Sequence, residues 1–318
     1  MRVNFLNFSL NSGLGHGLRY CYHPGYQLGL SPQHPFPMSK YPLLMELLLT
    51  EGVLHPGDLM VPEPLERWIL EQVHTPEYLD KLESSQLSLA EQRLLGFPWS
   101  ESLWLRSRLA AGGTLLAART ALKLGLAANL AGGTHHAFAD HGEGFCVLND
   151  VAIAITQLRA EGLIDRAAII DLDVHQGNGT AAIFEGVGQV LSFSMHGEQN
   201  YPARKMRSCL DIALPSGVGD AAYLDSLHGH LPAVLESQPE IVFYLAGVDV
   251  AAGDRYGKLK LTEQGISSRD RAVIEAVRAR GIPLVIVLAG GYAESRVRTA
   301  QLHAHVFREA VNYQRQQY

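Results

Sequence analysis

Five apolar runs separated by helix-like or polar stretches constrain the fold more than any other feature of the chain. They read "LAANLAGG" near 126–133, "AAIIDLDV" near 167–174, "QVLSFSM" near 189–195, "EIVFYLAGVD" near 240–249 and "PLVIVLAGG" near 283–291. Runs that are apolar throughout, rather than alternating, suit strands covered on both faces, and their interleaving with helices marks a parallel α/β sheet. Helical patterns fall at about 101–124, 149–161, 220–237, 263–280 and 294–313, the fourth opening after Thr262 as its cap and closing at Gly281.

The polar residues gather where these strands stop. Four runs lead into "GGTHH", "DLDVH", "SMH" and "GVD", and the fifth into "GGY". In open α/β sheets, ligands bind in the crevice beyond the carboxyl ends of the strands. Asp171, Asp173 and His175 alternate with Leu172 and Val174, so the three ionisable side chains are expected on one side as the strand runs out. Charge there is costly unless something binds it.

A carboxylate and an imidazole two residues apart can hold one metal ion. An isolated D-x-H match is more commonly a capping Asp beside a hydrogen-bonded His; here the second Asp and the other strand ends favour the metal. Asp249 adds an oxygen donor from a neighbouring strand. Two carboxylates and one imidazole leave a position for water, the pattern of catalytic zinc. His135 and His136, which follow two glycines, suit acid–base work, because imidazole titrates near neutrality. Tyr292, after Gly290 and Gly291, can donate to a developing oxyanion.

With 47% hydrophobic and 18% charged residues among 318, the chain can bury a large core. No linker-like stretch divides it, so one domain is expected over 1–318, its catalytic core at about 18–314. A net charge of −6 with scattered Lys and Arg argues against nucleic-acid binding. Neither a signal-peptide core nor a membrane-spanning run is evident, and Cys21, Cys146 and Cys209 form no framework. A soluble, cytoplasmic protein without membrane attachment is expected.

With "GGTHHAFADHGEGFCVLND", "IIDLDVHQGNG", "LAGVDVAAGDRYGKLKLT" and "LAGGY" in order, the sequence resembles the zinc-dependent histone deacetylase family, from about "HPGY" at 23 to the last helix. "HPFPMSKY", "DLDVHQGNG" and "GGY" look most like the class IV branch and its bacterial relatives. The resemblance implies a single-domain α/β arginase/deacetylase fold, with a central eight-stranded parallel sheet flanked by helices on both faces. It implies one catalytic Zn2+ on Asp173, His175 and Asp249, and a structural K+ held by Asp171, Ser194 and the backbone of Asp173, His175 and Met195. His135 and His136 would be the tandem histidines, with Asp171 facing His135 and Asn178 facing His136, and Tyr292 would polarise the substrate amide. Gly144, Phe145 and Tyr201 would form the acyl-lysine tunnel.

Two positions depart from the family pattern. The partner of His136 is often Asp and here is Asn178; an amide lacks the full charge that holds an imidazolium, so His136 should be less basic. The loop "LLGFPWSESL" offers Phe97, Pro98, Trp99, Ser100 and Glu101 where many members place a substrate-clamping Asp. Three rivals differ in chemistry: a dinuclear manganese ureohydrolase, which would need carboxylates where Gly177 and Ala251 stand; a non-catalytic acyl-lysine binder; and a deacetylase of small acylated amines such as polyamines. Cys146 is read as a packing cysteine. His23 and His34 are expected to shape loops near the pocket.

Overall fold

The computed structural model describes residues 17–317, residue 32 excepted. The expectation about the extreme N-terminus, and the first 16 residues of the 1–318 domain, lie outside the described residues. Eight strands are described: β1 (Arg19–Cys21), β2 (Leu59–Met60), β3 (Leu126–Asn129), β4 (Ala167–Asp171), β5 (Val190–Gly197), β6 (Leu210–Leu214), β7 (Ile241–Leu245) and β8 (Leu284–Val287). They form one sheet in the order β2-β1-β3-β8-β7-β4-β5-β6, and every pairing is parallel.

Ten α-helices accompany them among the described residues: α1 (Lys40–Thr50), α2 (Arg67–Leu70), α3 (Pro76–Glu83), α4 (Leu89–Leu95), α5 (Glu101–Leu124), α6 (Asp150–Ala160), α7 (Asn178–Ile183), α8 (Asp220–Glu236), α9 (Glu263–Arg278) and α10 (Arg296–Gln316). In one layer α8 packs on α9, α9 on α10 and α10 on α1; in the other, α5 packs on α6. The fold is the expected arginase/deacetylase architecture. Strands β4, β7 and β8 are buried along their whole length, which is why the sequence carries apolar runs there rather than alternation.

The expected helices agree with α5, α6, α8, α9 and α10 to within a few residues. Thr262 caps α9, its hydroxyl accepting from the Gly265 backbone N–H at 3.1 Å. That helix ends at Arg278, three residues before Gly281, which is left-handed at φ 71°. Mid-helix Gly112 and Gly113 cost helix propensity, yet α5 needs them: an added Cβ would stand 2.1 Å from the Glu63 carbonyl oxygen and 2.1 Å from the Tyr26 hydroxyl.

The strands are a correction. Four of the five expected runs extend past the true strand ends, β4 closing at Asp171 and β7 at Leu245. The Leu172 N–H still donates to the Leu245 carbonyl at 3.2 Å, and beyond it the backbone N–H groups turn to carboxylates: Asp173 donates to Asp171 Oδ1 at 3.2 Å, Val174 to Asp249 Oδ1 at 2.9 Å and His175 to Asp173 Oδ1 at 2.9 Å. Asp173 and His175 therefore sit in a loop and not on an alternating strand. No helix among the described residues is long and apolar enough to cross a membrane.

Candidate active site

Loops leaving the carboxyl ends of β3, β4, β7 and β8 meet at one place. Ligand atoms of Asp173, His175 and Asp249 all lie within 4.8 Å of one another, and all three residues are buried. His175 Nδ1 stands 3.0 Å from Asp173 Oδ1 and 3.2 Å from Asp249 Oδ2. Asp249 Oδ2 has no hydrogen-bond partner among the described residues. A buried carboxylate oxygen without a hydrogen bond, in contact with one imidazole nitrogen and close to a second buried carboxylate, is costly and calls for a cation.

The protonation balance agrees. Burial opposes charging His175, yet Asp173 and Asp249 outweigh it and raise its pKa to about 10. Burial, then the nearby Asp173, lifts Asp249 to about 7. A proton gathered among two carboxylates and an imidazole stands where a divalent ion would compensate the same charge, so the donor set fits a metal. Glycines line this cradle: a Cβ at Gly290 would stand 2.0 Å from Asp249 Oδ2, and one at Gly247 would stand 2.5 Å from Asp173 Oδ2.

His135 and His136 lie beside this group, their rings 4.1 Å apart. His135 Nδ1 is 2.6 Å from Asp171 Oδ2, and His136 Nδ1 is 2.6 Å from Asn178 Oδ1. Burial disfavours charge on both. For His135 the carboxylates of Asp171 and Asp173 overcome it and raise the pKa to about 9. For His136, burial together with neighbouring His135 and His175 drives the pKa well below its ordinary value. Asn178 opens α7, and the two glycines around it are required by packing: a Cβ at Gly177 would stand 2.4 Å from Asp171 Oδ2, and one at Gly179 would stand 2.3 Å from the Ala137 carbonyl oxygen.

Phe145, Tyr201, Gly144 and Tyr292 line a cavity of about 510 Å³ with His136 and His175 at its base. The Tyr201 ring meets His136 edge-on at 4.9 Å. Tyr292 is buried, its ring 6.0 Å from Phe145 and 5.0 Å from Tyr256. Burial first, and then the charges of Asp249 and Asp173, push its phenol pKa well up, so it remains a donor. Of the proposed potassium ligands, Ser194 pairs with Asp171 across the β4–β5 ladder, its Oγ 3.0 Å from His196 Nδ1, and Met195 is fully buried.

Several residues that build the site were not foreseen. Asp150 shapes the loop carrying the histidines: it accepts from the Gly133 and Thr134 backbone N–H groups at 3.0 and 2.8 Å and from the Thr114 hydroxyl at 2.5 Å. Asp254 accepts from the Tyr292 N–H at 2.6 Å and from Tyr256 at 2.9 Å. Lys40, buried on α1 with its pKa lowered by burial to about 8, donates to the Ala289 carbonyl at 2.9 Å. Ala289 is a non-glycine held at φ 55°, a conformation that surrounding contacts must maintain.

The loop "LLGFPWSESL", which lacks the substrate-clamping Asp, packs behind the cavity wall. Phe97 is buried, stacked on His34 at 5.4 Å and tilted against Phe145 at 5.4 Å. Trp99 donates its indole N–H to the Leu82 carbonyl, and Ser100 caps α5. His34 thus does shape the pocket wall, whereas His23 caps a short turn by accepting from Gly25 N–H at 2.9 Å. Cys146 is buried, and burial pushes its thiol pKa up, which keeps it protonated. The dinuclear rival finds no ligands: Ala251 has no donor, and Gly177 has no room for a side chain.

A parallel sheet with a buried Asp–His–Asp group and paired histidines at its carboxyl edge defines a hydrolase of the arginase/deacetylase fold. The profile of the histone deacetylase domain matches residues 34–308, and the chain belongs to that family and is a deacetylase. An uncharacterized protein of Picosynechococcus sp. is 45% identical over 93% of this chain and 97% of its own. Histone deacetylase 2 of Arabidopsis thaliana is 34% identical over 85% of this chain and 73% of its own length. The crystal structure of the HDA15 HD domain superposes with a TM-score of 0.78 at 26% identity, covering 94% of this chain and 89% of that one.

Proposed function

We propose that the protein is a zinc-dependent amide hydrolase that removes an acetyl or longer acyl group from acyl-lysine or a related acylated amine. The observation that carries this is the buried group of Asp173, His175 and Asp249, with Asp249 Oδ2 lacking a hydrogen bond, whose His175 lines an aromatic-walled cavity. Zinc held by Asp173, His175 and Asp249 would polarise the amide carbonyl and make a bound water acidic.

The chain's own groups do the rest. His136 is unprotonated at rest and, with Nδ1 engaged by Asn178, has Nε2 free to take the proton of the attacking water. His135, held by Asp171, supplies positive charge beside it. The proton returns to the amine as the C–N bond breaks. The Tyr292 hydroxyl donates to the carbonyl oxygen as that atom gains negative charge. Phe145 and Tyr201 wall the channel, with Gly144 close against the His136 ring. A structural potassium ion on Asp171, Ser194 and the backbone of Asp173, His175 and Met195 belongs to the same proposal, as does a cytoplasmic location, with which the free cysteines accord.

The test is release of acetate or longer acids from zinc-loaded protein across a panel of acyl-lysine peptides and acylated polyamines. Turnover of at least one acyl donor is expected; hydrolysis of none overturns the assignment.

A further inference from the structure

Resting on the deacylase chemistry just proposed, we infer that Glu143 is a positioning residue that fixes, through Asn178, which nitrogen of His136 carries its proton. Glu143 Oε1 accepts from Asn178 Nδ2 at 2.5 Å, and Asn178 Oδ1 lies 2.6 Å from His136 Nδ1. All three side chains are buried.

The polarity of this chain follows from donor and acceptor inventories. Glu143 Oε1 is the acceptor in its contact with Asn178, so the amide group facing it is the NH2. The carbonyl oxygen of Asn178 must then face His136, and an oxygen there requires Nδ1 to carry the hydrogen. Nε2 is left with its lone pair, as a general base needs. An Asn with no such neighbour can turn over, present its NH2 to Nδ1 and hold the proton on Nε2, where the ring cannot accept another. Asp at position 178 has no such ambiguity; Asn does, and Glu143 resolves it.

The backbone delivers Glu143 to this place. Gly144 and Phe145 are both left-handed, at φ 56° and 67°, and the turn presses Gly144 so close to His136 that a Cβ would stand 2.6 Å from the ring Cδ2. Glu143 also hydrogen-bonds to the Tyr201 side chain, whose phenol pKa is raised by burial and then by that contact. The same carboxylate therefore ties a tunnel wall to the group that orients the base. Burying it is costly without such partners.

The test is a double-mutant cycle with a spectroscopic companion, both on zinc-loaded full-length protein. Glu143→Ala is expected to lower kcat about 10-fold or more with KM changed less than about 3-fold, and Glu143→Gln, whose carbonyl can still accept from Asn178, to recover most of that loss. In the Asn178→Asp background the carboxylate accepts from His136 directly, so Glu143→Ala there is expected to cost kcat several-fold less than it does beside Asn178. Equal losses in both backgrounds would mark a merely structural role and overturn the inference. Histidine ring 15N spectra of the wild-type protein are expected to show His136 protonated on Nδ1, and this readout stands if Glu143→Ala fails to fold or no acyl donor is hydrolysed. A proton on Nε2 overturns the inference; absence of all turnover with Nδ1 protonated overturns only the deacylase assignment.

Discussion

The Gly290 backbone N–H donates to Asp173 Oδ2 at 2.6 Å, joining the loop after β8 to the loop after β4 across the candidate metal group. Both carboxylates crowd this glycine, so Gly290→Ala would drive a methyl group into the space of Asp249 Oδ2 and Asp173 Oδ2. The variant is expected to lose bound zinc while keeping its fold, read as metal content per chain beside circular dichroism. Full zinc occupancy in the variant would count against these oxygens as ligands.

His136→Ala and Tyr292→Phe separate binding from chemistry. Neither residue belongs to the Asp–His–Asp group, so zinc content should stay near wild type while kcat falls by about 10²-fold or more in each. Steady-state kinetics on one acyl-lysine peptide, with metal analysis of the same samples, checks both. Loss of metal together with activity would instead assign these side chains to the metal site.

Acid should destabilise the fold through buried neutral histidines. His74 accepts from the Asn149 backbone N–H at 3.0 Å, and burial lowers its pKa from 6.5 to about 4. Because the folded pKa lies below the unfolded one, the unfolded chain binds the extra proton first. The contribution is complete above about pH 6.5 and is lost as pH falls toward 4, on the order of 3 kcal/mol. Urea unfolding at pH 7 and 4.5 should show a smaller drop in stability for His74→Gln than for wild type. Parallel drops would remove His74 from the acid response.

Gly113→Ala offers a stability test in which two effects oppose. Helix propensity alone favours Ala by about 1 kcal/mol, yet the new Cβ would stand 2.1 Å from the Tyr26 hydroxyl and 2.8 Å from Asn129 Oδ1. Overpacking in a filled interior costs roughly 1–3 kcal/mol, and breaking the buried Tyr26–Asn129 hydrogen bond of 2.9 Å adds to it. Net destabilisation by denaturant unfolding is expected; a more stable variant would mean that α5 can shift away from β3.

The central strands could be read from the sequence because Ile169, Ile170, Phe243 and Val285 are buried on both faces of the sheet, which leaves a run of apolar letters. Their ends could not, since Leu172 and Val174 stay apolar where the strand gives out, and only the carboxylates that capture the backbone N–H groups of Asp173, Val174 and His175 end it. Edge strands β2 and β6 were missed because partial exposure breaks up their patterns. Within the site, Asp173, His175 and Asp249 stood out as charges following apolar runs. Glu143, Asp150 and Lys40 did not, because what gives each its role is a partner 35, 16 or 249 residues away, and no local pattern records such a separation.

The most direct test of the account is to strip the protein of metal and titrate Zn2+ back while following acid release from an acyl-lysine substrate that the wild-type protein hydrolyses. Activity should be absent without metal and rise to a plateau at one ion per chain, and Asp249→Ala should neither bind zinc tightly nor turn over. Undiminished hydrolysis by the metal-free protein, or a plateau only at two ions per chain, would contradict it.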